Sequence, residues 1–409
     1  MPRRRNNKGD RDHRSNNHKD CYDEDDNDES VEHMSTCSSF TSKSDEELTA
    51  SGGETENAQV EIENALVDAI EELYDKRMKA TALQAVNKIL SKSVMTEFVE
   101  KRQETLASHA EKYVKKGQQK ELELSTKLMS LLFIQLGTDS SRLFSELKPT
   151  LMARLRDTSL NPSSRASCIT ALGLLTFVAA DSPDTMDLME TLEAFFYFTD
   201  SKLDGIISAS LSAWSLLLSA VQTPSRNKLI HEVLPKLKKS LGHNNVDVRI
   251  AAGETIALVC EVLNADTDDI YPFDEICTML EALVADSSKR HAKKDRAQQR
   301  SAIRDVLHYI RDGQELEECV KFGQETLDID CWSRRVQYNY IRTILGGGTN
   351  AHLQSNEFIR EVFDLGKVLP ADFKLEKGSR SERNYYNSLA AKARTKARSV
   401  HRDKRADVY

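Results

Sequence analysis

Apolar positions recur at helical spacing from about residue 58 to 365, almost without a break. Ile62, Leu66, Ile70 and Leu73 form one stripe, and Leu83, Val86 and Leu90 form the next. The segment also repeats itself. Arg165–Leu175 (RASCITALGLL) and Arg249–Val259 (RIAAGETIALV) align position for position, Arg165 on Arg249. Ile207–Leu217 (ISASLSAWSLL) fits halfway between them, and Glu123–Phe133 (ELSTKLMSLLF) fits one such half-step before the first. A helical period near 42 is the range of HEAT and armadillo repeats, whose units bury their apolar faces by stacking on one another. The pattern therefore predicts an all-α chain built as a HEAT/armadillo-like α-solenoid.

Local signals agree with that register. Asn161-Pro162, Ser182-Pro183, Thr223-Pro224 and Tyr271-Pro272 supply turn chemistry between the units. Asp247 is expected to cap the helix carrying Arg249, and the alanines after it permit close helix stacking. Trp214 falls in the apolar run of a repeat helix and is assigned to the core. Phe195, Phe196 and Phe198, clustered around Tyr197, are assigned to packing between repeats.

The flanks differ in kind. Residues 1–57 are polar and hold almost no large apolar side chains, so they are expected to form a disordered charged arm that cannot offset the entropy of ordering. Met1–Lys19 carries seven basic residues against two acidic, whereas Asp20–Asp75 carries nineteen acids and a single lysine. That acidic tract reads as a solubilising tail, or as a shield for cations elsewhere in the chain. The four segments expected are the arm (1–57), the repeat domain (58–312), a helical extension (313–370) and a basic tail (371–409).

The tail is the sharpest charge anomaly. Leu389–Arg405 holds seven Lys/Arg and one acid, in a chain whose net charge is −8. Tyr386, Leu389, Ala393, Ala397 and Val400 step by 3, 4, 4 and 3, which predicts a helix with a narrow, small-residue stripe. An alanine stripe buries little, so such a helix suits close approach to a polyanion, where charge supplies the affinity. Its candidate phosphate contacts are Lys392, Arg394, Lys396, Arg398, Arg402, Lys404 and Arg405. A second basic helix face is predicted at Lys289, Lys293, Arg296, Arg300 and Arg304, widened by Arg290 and Lys294, with Ile303, Val306, Leu307 and Ile310 as its apolar side. The alternative use of the tail is as a nuclear localisation signal.

Composition narrows the remaining classes. Seven cysteines, odd in number and without a CxxC pair, argue against a disulfide framework or zinc site and for a reducing compartment. No run of eighteen apolar residues exists, and no apolar segment follows Arg3–Arg5, so neither a membrane span nor a secretory signal is expected. Gly346-Gly347-Gly348-Thr349 lacks the Lys of a phosphate loop and reads as a helix C-cap and turn. Cys331-Trp332 has no histidine base nearby and reads as a buried thiol beside an anchoring Trp. His352 is assigned to a helix cap or the surface. The histidines show no HxxxH or HxH spacing, and no serine lies in a GxSxG context. The expectation is a non-enzymatic protein with no cofactor, metal or small-molecule substrate, residing in cytoplasm and nucleus.

Four C-terminal segments resemble the interferon-related developmental regulator family. They are Lys293–Leu307 (KKDRAQQRSAIRDVL); Ile329–Trp332 (IDCW); His352–Phe358 (HLQSNEF) with Phe363–Gly366 (FDLG); and Lys392–Arg398 (KARTKAR) with Arg402–Val408 (RDKRADV). Residues from about 60 to 310 look like the family's armadillo-like N-terminal domain. The polar arm and the stop at Tyr409, just after RADV, depart from vertebrate members. The resemblance implies two roles. One is association with translationally inactive ribosomes, with the C-terminal helix entering the tRNA path and contacting rRNA. The other is transcriptional co-regulation with histone deacetylase co-repressor complexes; a scaffold of that kind would hold its partners in the solenoid's concave groove.

Overall fold

The computed structural model describes residues 52–75, 79–198, 200–222, 224–263, 273–285 and 292–368. Most of the N-terminal arm and all of the basic tail lie outside the described residues. Helix α1 (Gly52–Glu72) begins inside the stretch assigned to the arm. It is followed by α2 (Lys79–Lys92), α3 (Thr96–Glu100), α4 (Gln103–Lys116), α5 (Gln119–Leu136), α6 (Ser141–Arg156), α7 (Pro162–Ala179), α8 (Ser182–Glu193) and α9 (Asp204–Leu218). Next come α10 (Arg226–Lys228), which runs through a π turn into α11 (Leu234–Leu241), then α12 (Val246–Val262), α13 (Phe273–Ala285) and α14 (Lys293–Asp312).

Helices pair as α1 with α2, α4 with α5, α6 with α7, α8 with α9, α11 with α12, and α13 with α14. The second members then stack in one row, α2–α5–α7–α9–α12–α14. They begin at residues 79, 119, 162, 204, 246 and 293, so the period near 42 is the step from one repeat to the next. All four windows that aligned in the sequence lie on helices of this row. Each such helix has a neighbour on either side and a paired helix behind it. That is why α5, α7, α9 and α12 are apolar nearly all round and carry Leu132, Leu172, Leu216 and Ile256 fully buried. The row defines an all-α solenoid.

Capping follows the sequence with one shift. Asn161 accepts from Ser163 N at 3.0 Å, with Pro162 opening α7. Helix α12 is capped by Asn245, which accepts from Asp247 N at 2.8 Å and Val248 N at 3.2 Å. Asp247 instead sits in the first turn, where its charge meets the positive end of the helix dipole. Arg165 and Arg249 occupy equivalent repeat positions and are both buried. Each reaches back to a carbonyl ahead of its own helix, Leu155 O at 2.9 Å and His243 O at 3.1 Å. Trp214 is buried, with Nε1 donating to Glu193 at 3.3 Å. Of the aromatic cluster beside it, only Phe196 is fully internal. Tyr197 is 52% and Phe198 37% exposed.

The segment expected to be a helical extension opens as a β-hairpin. Strands β1 (Glu318–Phe322) and β2 (Glu325–Ile329) pair antiparallel, Phe322 opposite Glu325, across a two-residue turn in which Gly323 has φ +52°. Alternation decides this: Leu327 and Ile329 are buried, and Asp328 between them is exposed. Helices α15 (Trp332–Leu345), α16 (Thr349–Ser355) and α17 (Glu357–Val362) follow. Helix α15 packs on α12, α9, α5 and α2, α16 packs on α2, and α17 packs on α5. The C-terminal segment thus runs back along the second-helix row, toward the first repeats.

Candidate functional site

The basic face of α14 is aimed by one buried polar residue. Gln299 accepts from Arg249 Nε at 2.9 Å and Nη2 at 2.6 Å and donates to Leu283 O at 3.0 Å. With Ile303, Val306 and Leu307 buried on the same side, the helix can take only one rotation. At about 100° per residue, Arg296, Arg300 and Arg304 form a stripe centred about 100° away from Gln299. Arg300 and Arg304 are exposed, one turn apart, and form no ion pair among the described residues; Arg296 is half-buried. Lys293 is the first residue of the helix, and Lys294 is exposed off the stripe. Toward the helix end the charge is already neutralised, since Arg311 pairs with Glu281 at 2.6 Å. Lys289 lies outside the described residues, as do Lys392, Arg394, Lys396, Arg398, Arg402, Lys404 and Arg405.

The fold-back of α15–α17 rests on long-range contacts that periodicity does not signal. Glu261, near the end of α12, caps α15 from far back in the chain by accepting from Ser333 N at 2.9 Å and from Trp332 N. Tyr340 is buried and donates to Thr170 O of α7 at 2.8 Å. Its phenol pKa is pushed up by burial. Arg335 bonds Asp305 of α14 at 3.1 Å and Glu318 of β1 at 3.3 Å, and its guanidinium stacks on Trp332. Arg360 is 1% exposed and pairs with Glu325 through both terminal nitrogens, at 2.8 and 2.9 Å. It also donates to the carbonyls of Leu353, Gln354, Leu365, Gly366 and Lys367.

His352 departs from its surface assignment. It is fully buried, with Nε2 3.2 Å from Leu90 O. Asn356 donates through Nδ2 to Ile134 O at 2.9 Å and lies 3.3 Å from His352 Nδ1. These partners fix a neutral ring with its proton on Nε2. Burial pulls the His352 pKa down to about 4, against the smaller opposing effect of the Leu90 and Ser91 carbonyls. Residues 346–349 form the expected cap and turn, with Gly346 at φ +58°. Gly348 has a second reason: a Cβ there would stand 1.7 Å from Ser91 O, so only glycine lets this turn touch α2.

Beside α15 the second-helix row leaves a groove of about 790 Å³. Its floor is made of small residues, including Ala166, Thr170, Ser208, Ala209, Ser212 and Ala251, and Tyr340 and Thr343 of α15 form one wall. Glu123, Asp204, Asp247 and Glu254 rim it, with Lys127 as the one cationic lining residue among those described. A smaller adjoining hollow shares Asp204 and Asp247 and adds Asp295. Glu254, half-buried under α15, has its pKa raised by burial, a shift that Arg335 opposes. Gln298 lines the groove on one flank of α14, while Arg300 and Arg304 occupy the other flank. The two charge signs are thus kept apart on one helix.

Little here suits covalent chemistry. Cys331 is half-buried at the start of α15, and burial raises its thiol pKa, the reverse of what an activated nucleophile needs. Burial also pushes the Cys168 thiol up to about 12. Among the described residues, no three His, Cys, Asp or Glu side chains converge as a metal site would require. None of the described helices is long and apolar enough to cross a membrane.

The sequence matches two family profiles, "Interferon-related developmental regulator (IFRD)" over residues 33–311 and "Interferon-related protein conserved region" over residues 356–406. It is 37% identical over 396 residues to interferon-related developmental regulator 2 of Mus musculus, covering 91% of this chain and 90% of that protein. It is 36% identical over 407 residues to interferon-related developmental regulator 1 of Homo sapiens, covering 94% of this chain and 90% of that protein. A profile match over most of the repeat array and identity along nearly the whole length make this chain a member of the interferon-related developmental regulator family.

Proposed function

We propose that the protein is a non-enzymatic regulator of gene expression that binds ribosomal RNA through its basic C-terminal stretch and holds ribosomes translationally inactive. The observation that carries this reading is the outward-facing Arg300/Arg304 stripe on α14, which has no ion pair among the described residues and is held in one rotation by the Arg249–Gln299 clamp. It supports the reading as a fixed second cationic surface on a chain whose residues 389–405 already carry a net charge of +6. Polyanion contact of this kind needs no pocket and no activated nucleophile, which fits the raised thiol pKa values.

Co-sedimentation with purified ribosomes tests it. Full-length protein is expected in the ribosome pellet at 50 mM salt, and a chain truncated at Pro370 is expected in the supernatant. Undiminished co-sedimentation of the truncated chain at 150 mM salt overturns the reading.

A second reading places the protein in the nucleus as a scaffold for histone deacetylase co-repressor complexes, with residues 392–405 as the nuclear address. It would use the second-helix row, and the open groove beside α15 favours it. Against it, α15–α17 already cover part of that row in cis. Exclusively cytoplasmic staining with nuclear export blocked argues against this alternative.

A further inference from the structure

The groove on the second-helix row has the size, charge and lining of a seat for something basic, slim and helical. We propose that its occupant is the chain's own basic stretch, Leu389–Arg405, which docks there in cis and is released when a polyanion takes it. The consequence for RNA rests on the RNA-binding reading above; the docking itself does not.

Four observations carry the assignment. The first is charge: Glu123, Asp204 and Asp247 line the groove and Asp295 extends it, against Lys127 alone among the described residues. Asp247 and Asp295 are exposed and form no ion pair among the described residues. The groove also lies near the N-terminal turns of α7, α9 and α12, whose partial positive charge is about half a unit each. Whole carboxylate charges on Asp204 and Asp247 outweigh it. The second is shape. A floor of Ala, Ser and Thr admits a helix only at close range, so the entering face must be small too. The tail's stripe of Ala393 and Ala397 between Leu389 and Val400 meets that demand.

The third is length. Seventeen residues wound as a helix span about 25 Å. The groove crosses α5, α7, α9 and α12, three intervals of about 8–10 Å each. The fourth is reach. Asn356 touches α5 at Ile134, and Glu123 lies eleven residues earlier on that helix, roughly 17 Å along its axis. The twenty residues 369–388 can extend over roughly 65 Å, ample to turn back into the groove.

The test is zero-length carbodiimide cross-linking of the full chain at 50 mM salt, read by peptide mass spectrometry on mixed light and heavy isotope-labelled protein. Expected are links within one chain from Lys392, Lys396 or Lys404 to Glu123, Asp204, Asp247 or Glu254, lost at 500 mM salt. Lys392→Glu/Lys396→Glu, which alters only the tail, should also weaken the remaining Lys404 links, because it reverses charge on the docked segment. Links to the acidic stretch 20–75 instead, links only between chains, or no tail links at 50 mM salt each overturn the proposal.

In parallel, anisotropy with a 30-nucleotide poly(U) probe compares the wild type with Glu123→Gln/Asp247→Asn, both substitutions being at the groove rim. Releasing the tail should raise affinity roughly fivefold at 50 mM salt. Tail links without any RNA binding would sink the RNA reading and leave the docking standing. Equal RNA affinities with no tail links would sink the docking and leave the RNA reading standing.

Discussion

Acidification should loosen the C-terminal fold-back, because burial holds His352 neutral where the opened segment would protonate it. Its ring is fully buried between α16 and α2, its Nε2 proton is committed to Leu90 O, and its Nδ1 faces the Asn356 amide. The folded pKa near 4 lies below the ordinary histidine value of 6.5, so the opened segment binds the proton first. Stability from this group is therefore complete above about pH 6.5 and is lost as pH falls toward 4. With 1.36 kcal/mol per pKa unit, the total is roughly 3 kcal/mol, of which about 2 kcal/mol is gone by pH 5. The assay is hydrogen exchange of the α16 amides at pH 7.5 and pH 5, corrected for intrinsic rates, in the wild type and in His352→Gln. Glutamine does not titrate, so carboxylate effects and His109, whose pKa burial also lowers, cancel in the difference. Opening of α16 should cost about 2 kcal/mol less at pH 5 than at pH 7.5 in the wild type, beyond any change in the variant. An equal pH response in both proteins would refute the buried, neutral assignment.

Three further outcomes follow from the same contacts. Gly348→Ala should destabilise the fold-back by about 2 kcal/mol or more, since its Cβ would meet the Ser91 backbone; urea unfolding should show a lowered midpoint. Arg360→Ala strips Glu325 and five carbonyls of their partner and should cost about 3 kcal/mol, with Arg360→Lys restoring little because an ammonium cannot form the fork; thermal midpoints of the three proteins check this. Arg300→Glu/Arg304→Glu should leave the melting temperature within a degree or two and weaken RNA binding about tenfold or more, as read by anisotropy.

The solenoid was legible because its cause is local. Residues such as Leu132, Leu172 and Leu216 must be apolar to sit between stacked neighbours, and stacking at a fixed step writes a period near 42 into the chain. Helix α14 and the exposed placing of Arg300 and Arg304 were legible for the same reason, although Gln299, which sets their direction, reads as an ordinary polar residue until Arg249 is seen against it. What escaped was the fold-back. The cap of α15 comes from Glu261 on another repeat, and His352 and Asn356 find their partners on α2 and α5, near the other end of the described chain. No periodicity records such pairings. The hairpin did leave a trace, in the alternation of Thr326-Leu327-Asp328-Ile329 after Gly323, but the strand is short and surrounded by helical pattern. The acid-rimmed groove is dispersed over several helices, so its charge is invisible in any one window.

The central claim, that cations on the tail and α14 bind RNA, is tested most directly by the salt dependence of binding. The measurement is the dissociation constant for a duplex ribosomal RNA fragment between 50 and 200 mM salt, on the full chain carrying Glu123→Gln/Asp247→Asn so that docking in cis does not mask the slope. With about six phosphates neutralised, log affinity should fall against log salt with a slope near −5, a loss of roughly 10³-fold over that range. A slope flatter than about −2, or the same slope after truncation at Pro370, would contradict the account.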